Sequence, residues 1–98
     1  MSAVNEQLAL DYVKTRLNRL AHDTTLDEYF LARIGAAVRT LEATGIILTD
    51  SIADLMLVVD YTVWEYQNRD KPGSMPDWLR LRRRERWLQQ RRPGNESG

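Results

Sequence analysis

His22 is the only histidine in this sequence, and it has no cysteine to work with. It lies in the polar stretch Ala21-His22-Asp23-Thr24, where a solvated loop residue is the expected role. A zinc site takes three or four ligands, which this composition does not supply. Asp50, Asp54 and Asp60 are the other grouping that suggests a cation, but they lack the spacing and the glycine of a calcium loop. Asp54 and Glu65 fall on the polar side of a helical wheel, which predicts solvation. Asp60 falls between two apolar faces, which predicts an arginine partner. There is no glycine-rich phosphate loop, no nucleophile elbow and no serine–histidine–acid set. Ser51, Ser74 and Thr25 are accounted for by caps and turns. The expectation is a protein that is not an enzyme and holds neither metal nor cofactor.

The residues that call for a role are the arginines near the C-terminus. Arg80, Arg82, Arg83, Arg84 and Arg86 crowd one segment, Trp87 follows, and Arg91 and Arg92 close it. Residues 1–68 carry 5 Lys/Arg against 10 Asp/Glu, and residues 69–98 carry 9 against 4, so a net charge of zero hides a −5/+5 division. Halves of opposite sign attract neighbouring copies, or let the basic half seek an acidic partner. On a helical wheel Trp78, Leu81 and Leu88 make a narrow apolar stripe interrupted by Glu85. Trp87 falls on the arginine side, with Arg83 and Arg91 at i−4 and i+4. Arginine and tryptophan are both enriched where interfaces carry most of their energy. Guanidinium forks suit carboxylates and phosphates alike. Docking on an acidic protein, binding of nucleic acid phosphates, and a merely solvated face therefore all remain open at this point.

These side chains must be placed by helices. Ninety-eight residues make one small domain. No apolar run approaches the ~20 residues needed to cross a bilayer, and Met1 to Glu6 lacks the basic start and apolar core of a signal peptide. Without cysteine there is no disulfide framework, and a reducing cytosol fits. The periodicity predicts an all-α, small four-helix domain. The first helix starts at an Asn5 cap and runs to about Arg19, with Leu10, Val13, Leu17 and Leu20 on one face. Thr25-Leu26-Asp27-Glu28 reads as a capping box opening the second helix, which carries Leu26, Phe30, Ile34, Ala37, Val38 and Leu41 and stops at a left-handed Gly45. Ile46-Ile47-Leu48 is a short connector. Thr49, Asp50 or Ser51 caps a third helix running to Asn68, with Ile52, Leu55, Met56, Val59, Val63 and Tyr66 on one face and Leu57, Tyr61 and Trp64 on another. Two apolar faces suit a central helix, or one shared with an oligomer interface. Asp70 to Ser74 forms a turn, and Pro76 opens the fourth helix, which runs to about Gln90. The expected organisation is a helical core at residues 1–70, a Pro/Gly linker at 71–76, a basic docking helix at 77–92 and a flexible tail at 93–98.

Several segments in this order carry a resemblance: Val13-Lys14-Thr15-Arg16-Leu17, Asp27-Glu28-Tyr29, Ile34-Gly35-Ala36-Ala37, Asp54-Leu55-Met56-Leu57, then Asp60-Tyr61 and Trp64-Glu65-Tyr66, and Met75-Pro76 ahead of Leu79-Arg80. Over about residues 10–90 the chain resembles the head–tail connector (adaptor, head-completion) proteins of long-tailed double-stranded-DNA phages and prophages. The resemblance implies a structural virion protein that is assembled in the host cytoplasm and located at the head–tail interface. It implies a dodecameric ring beneath the portal protein that extends the DNA channel and offers a platform for a stopper or tail-completion protein. Packaged DNA would pass through the lumen, and no membrane would be involved. Carried onto this sequence, Arg80, Arg82, Arg83, Arg84, Arg86, Trp87, Arg91 and Arg92 would form the portal-docking element. Leu57, Tyr61 and Trp64, with Ile46 and Ile47, would meet neighbouring subunits. The density of arginine after Met75 departs from the family pattern and leaves a small helical DNA-binding protein as the alternative.

Overall fold

The structure, a computed structural model, describes residues 3–71 and 73–91. Among these it is all-helical, with α1 (Glu6–Arg16), α2 (Asp27–Ala43), α3 (Ile52–Gln67) and α4 (Asp77–Arg91) and no strand. The expected tail 93–98 and Arg92 lie outside the described residues.

α1 opens where the sequence predicts, with the Asn5 side chain accepting from the Leu8 N–H at 3.0 Å. It ends earlier than Arg19, because Asn18 turns into the left-handed region at φ 59°, a conformation asparagine tolerates better than most residues. Leu20 falls beyond that turn and is exposed. Lys14, in contrast, is buried: its ammonium donates to the Ala21 carbonyl at 2.9 Å and lies 3.0 Å from Asp27, tying α1 to the start of α2.

The capping box at Thr25 does not form. α2 is preceded by Leu26, which has no side-chain cap, and the Thr25 N–H is held instead by the Asp23 carboxylate at 3.1 Å. An Asx turn has taken the donor that Glu28 would have reached back to. Gly45 does adopt the left-handed conformation, φ 99°, and stops the helix. After it Ile46 and Leu48 point inward while Ile47 stays exposed. Ser51 is the residue that caps α3, its hydroxyl accepting from the Asp54 N–H at 3.2 Å.

α3 is the central helix. Leu55, Leu57, Val58, Val59, Tyr61, Thr62 and Val63 are all buried, so both its apolar faces are covered within one chain. Phe30, Ile34 and Leu41 of α2 and Val13 of α1 complete the core. Phe30 packs edge-on against Tyr29 and Tyr66, with ring centroids 5.8 and 5.2 Å away, an arrangement aromatic quadrupoles favour. Ile52, expected on the inner face, lies in the first turn of α3 and is exposed.

Candidate functional site

α4 runs antiparallel to α3, because Arg86 meets Asp54 while Arg82, one turn earlier, meets Asp60 further along α3. Its orientation corrects the wheel reading. Trp78, Leu81 and Leu88, the supposed inner stripe, are 50%, 58% and 42% exposed. The inner face is Leu79, fully buried, with half-buried Arg82, Arg83, Arg86, Trp87 and Gln90, which follow it at helical spacing. The physical reason lies on α3. Asp54 and Asp60 occupy the strip that α4 covers, and an apolar stripe laid over them would bury carboxylates with no cation to compensate.

The Asp54 carboxylate collects the contacts that seat the helix. Arg86 binds it with two parallel bonds, Nε to Oδ1 at 2.7 Å and Nη2 to Oδ2 at 3.1 Å, while the Thr49 N–H and hydroxyl donate to Oδ2 at 2.7 and 2.8 Å. Burial by itself would push the Asp54 pKa up. The Arg86 guanidinium and the Thr49 donors outweigh it and hold the carboxyl below its ordinary value. Hydrogen bonding to Asp54 correspondingly raises Arg86. Arg86 also donates to the Ile47 carbonyl at 2.7 Å and to Gln90 Oε1 at 3.1 Å. Gln90 accepts from the Ile47 N–H at 2.9 Å and donates to the Gly45 carbonyl. The 46–51 connector is thus bound to α4 through backbone groups that no sheet satisfies. Asp54, expected to be solvated, is 1% exposed. Its spacing after Thr49 and Ser51 in the α3 cap was the available signal, but only the position of α4 reveals its partner.

Asp60 pairs with both Arg82 and Arg16, linking α4, α3 and α1, as its place between two faces suggested. Glu65 pairs with Arg33 at 3.1 Å. Trp87 lies over Gly45, where a Cβ would stand 2.9 Å from its Nε1. Glycine is therefore required there twice, for its φ and for the closeness of the indole.

The expected docking residues thus divide. Arg82 and Arg86 are held by aspartates of their own chain, and Arg80 is paired with Asp77 at 3.0 Å on the surface. Arg83 and Arg84 meet no carboxylate among the described residues. Arg91 is the last residue of α4. Of the residues expected at subunit contacts, Leu57, Tyr61 and Ile46 are already covered by their own chain. Trp64 is half-buried, edge-on to Tyr61 at 6.1 Å, and Ile47 is exposed. What α4 offers outward is the row Trp78, Leu81 and Leu88 with Arg80 and Arg84 beside it.

His22 is exposed, and no three of His, Asp and Glu gather at metal-binding distance among the described residues. No helix there is long and apolar enough to cross a membrane. Comparison with family models, with curated proteins and with solved structures finds no match.

Proposed function

We propose that this chain is a structural assembly protein, a head–tail connector subunit that forms a ring under a phage portal and carries the stopper or tail-completion protein. The reading rests on the order of segments from Val13 to Arg80, and the observation that supports it best is the outward row of α4. Two leucines and a tryptophan along one helix face, each at least 42% exposed and flanked by arginine, are what a helix presents when another macromolecule completes its packing. Exposed Ile47 and half-buried Trp64 supply candidate neighbour contacts, in place of Leu57 and Tyr61. A ring needs a heterologous contact that closes, and a chain divided −5/+5 along its length suits one. Many weak copies of one contact give a strong assembly.

The DNA-binding alternative has less support. Arg82 and Arg86 are engaged by Asp60 and Asp54, so they are not free to neutralise phosphates.

Co-sedimentation with purified portal rings tests the connector reading. The triple variant Trp78→Ser, Leu81→Ser and Leu88→Ser removes only exposed side chains, so it is expected to keep its helical circular dichroism and lose docking. Undiminished docking by that variant, or none by the parent protein, would overturn the proposal. Arg86 is unsuitable for such a test, because its replacement would unseat α4 itself.

A further inference from the structure

Between Arg80 and Arg86 the fold uses three of five guanidinium groups on its own aspartates and leaves Arg83 and Arg84 unpaired among the described residues. Those two do not point to separate places. With Arg80, Leu81, Trp87 and Thr44 at the end of α2, they line one groove of about 540 Å³. Its apolar surface comes from Leu81, 58% exposed, and the half-buried Trp87 indole, which is held in place over Gly45.

We propose that this groove binds an acidic peptide segment carrying an apolar anchor, the anchor lying on Leu81 and Trp87 and the carboxylates on Arg83 and Arg84. The inference rests on the reading that α4 seats a partner, and it names that partner's chemistry. Charge complementarity selects the occupant: guanidinium groups with no carboxylate partner among the described residues are satisfied by external ones, in forked pairs. Single-stranded nucleic acid fits less well. It needs cations spaced along several nucleotides, whereas Arg83 and Arg84 are adjacent.

Fluorescence anisotropy of a labelled hexapeptide, acetyl-Asp-Glu-Phe-Leu-Glu-Asp-amide, tests this at low salt. The expected result is saturable binding, at least tenfold weaker for the peptide with Asn and Gln in place of its acids and for the one with Ser in place of Phe and Leu. Arg83→Ala and Arg84→Ala should each weaken it at least fivefold without changing the melting temperature. Arg84 is exposed, so its variant remains informative if the half-buried Arg83 proves to matter for packing. Equal binding of the amide-substituted peptide, indifference to both variants, or tighter binding of hexathymidylate would each overturn the proposal. So would self-association in sedimentation that both variants abolish, since the occupant would then be a second copy of this chain. The two proposals fail separately. Peptide binding without portal docking removes the connector reading and keeps the groove. Portal docking without peptide binding removes the groove and keeps the connector.

Discussion

At Asp54 a carboxylate with 2% of its side chain exposed is held by a guanidinium with 15% exposed, and the balance of forces there is unequal on its two sides. Removing the cation strands a buried anion. Arg86→Ala is therefore expected to destabilise the domain by about 3 kcal/mol, the lower end for breaking one side of a buried pair because Arg86 keeps some solvent. Urea denaturation reads this directly. The pH dependence follows from the depressed Asp54 pKa. The unfolded chain binds this proton more readily, so the carboxylate's contribution is complete above its ordinary titration range and is lost as pH falls through the lowered folded value. The stability gap between the parent protein and Asp54→Asn should hold steady from pH 5 to 8 and close below about pH 4. A gap that persists in acid would mean the carboxylate's charge is not what seats α4. Gly45 makes a second residue-scale case. With φ 99° and the Trp87 indole against it, Gly45→Ala is expected to cost about 2 kcal/mol and to red-shift tryptophan emission as the indole is displaced.

At the scale of elements, the two helix starts give a direct comparison. Ser51 accepts from the Asp54 N–H, whereas Thr25 caps nothing, its own N–H being held by Asp23. Ser51→Ala should cost about 1 kcal/mol and Thr25→Ala less than about 0.5 kcal/mol, a ranking that thermal melts can check. α4 is held by two ion pairs, the Gln90 bridges, half-buried Trp87 and one fully buried apolar side chain, Leu79. Leu79→Ala should therefore cost about 3 kcal/mol. Because Leu79 is the one fully buried side chain of α4, limited trypsinolysis of that variant is expected to cut at Arg69 and at the arginines of α4, the Lys71–Pro72 bond resisting trypsin, while α1–α3 persists. Cleavage spread evenly over the chain would instead mean that all four helices unfold as one unit.

For the whole molecule, the charge division has a structural use before any partner arrives. Negative α3 and positive α4 fold back on each other, so the −5/+5 split read along the sequence is partly spent inside the subunit. What is left outside is smaller and more local: an exposed row of Trp78, Leu81 and Leu88, with Arg83 and Arg84 at the groove. Assembly driven by that surface should depend on salt less steeply than a six- or eight-arginine patch would, since paired arginines have already shed their counterions. Portal co-sedimentation across a salt series from low to physiological ionic strength is expected to show a shallow decline.

The sequence by itself determined the four helices, the Asn5 cap, the Gly45 stop and the apolar pattern that makes α3 central, because each depends on neighbours within a turn or two of chain. It also placed Asp60 against an arginine, since a carboxylate between two apolar faces has few other options. Tertiary structure alone decided which way α4 faces. On the wheel its apolar stripe and its arginine stripe were both available for burial, and the choice turned on Asp54 and Asp60, two carboxylates of another helix. Whether an arginine is a binding group or an internal counter-ion is a question of distance in space, and spacing along the chain carries no answer to it.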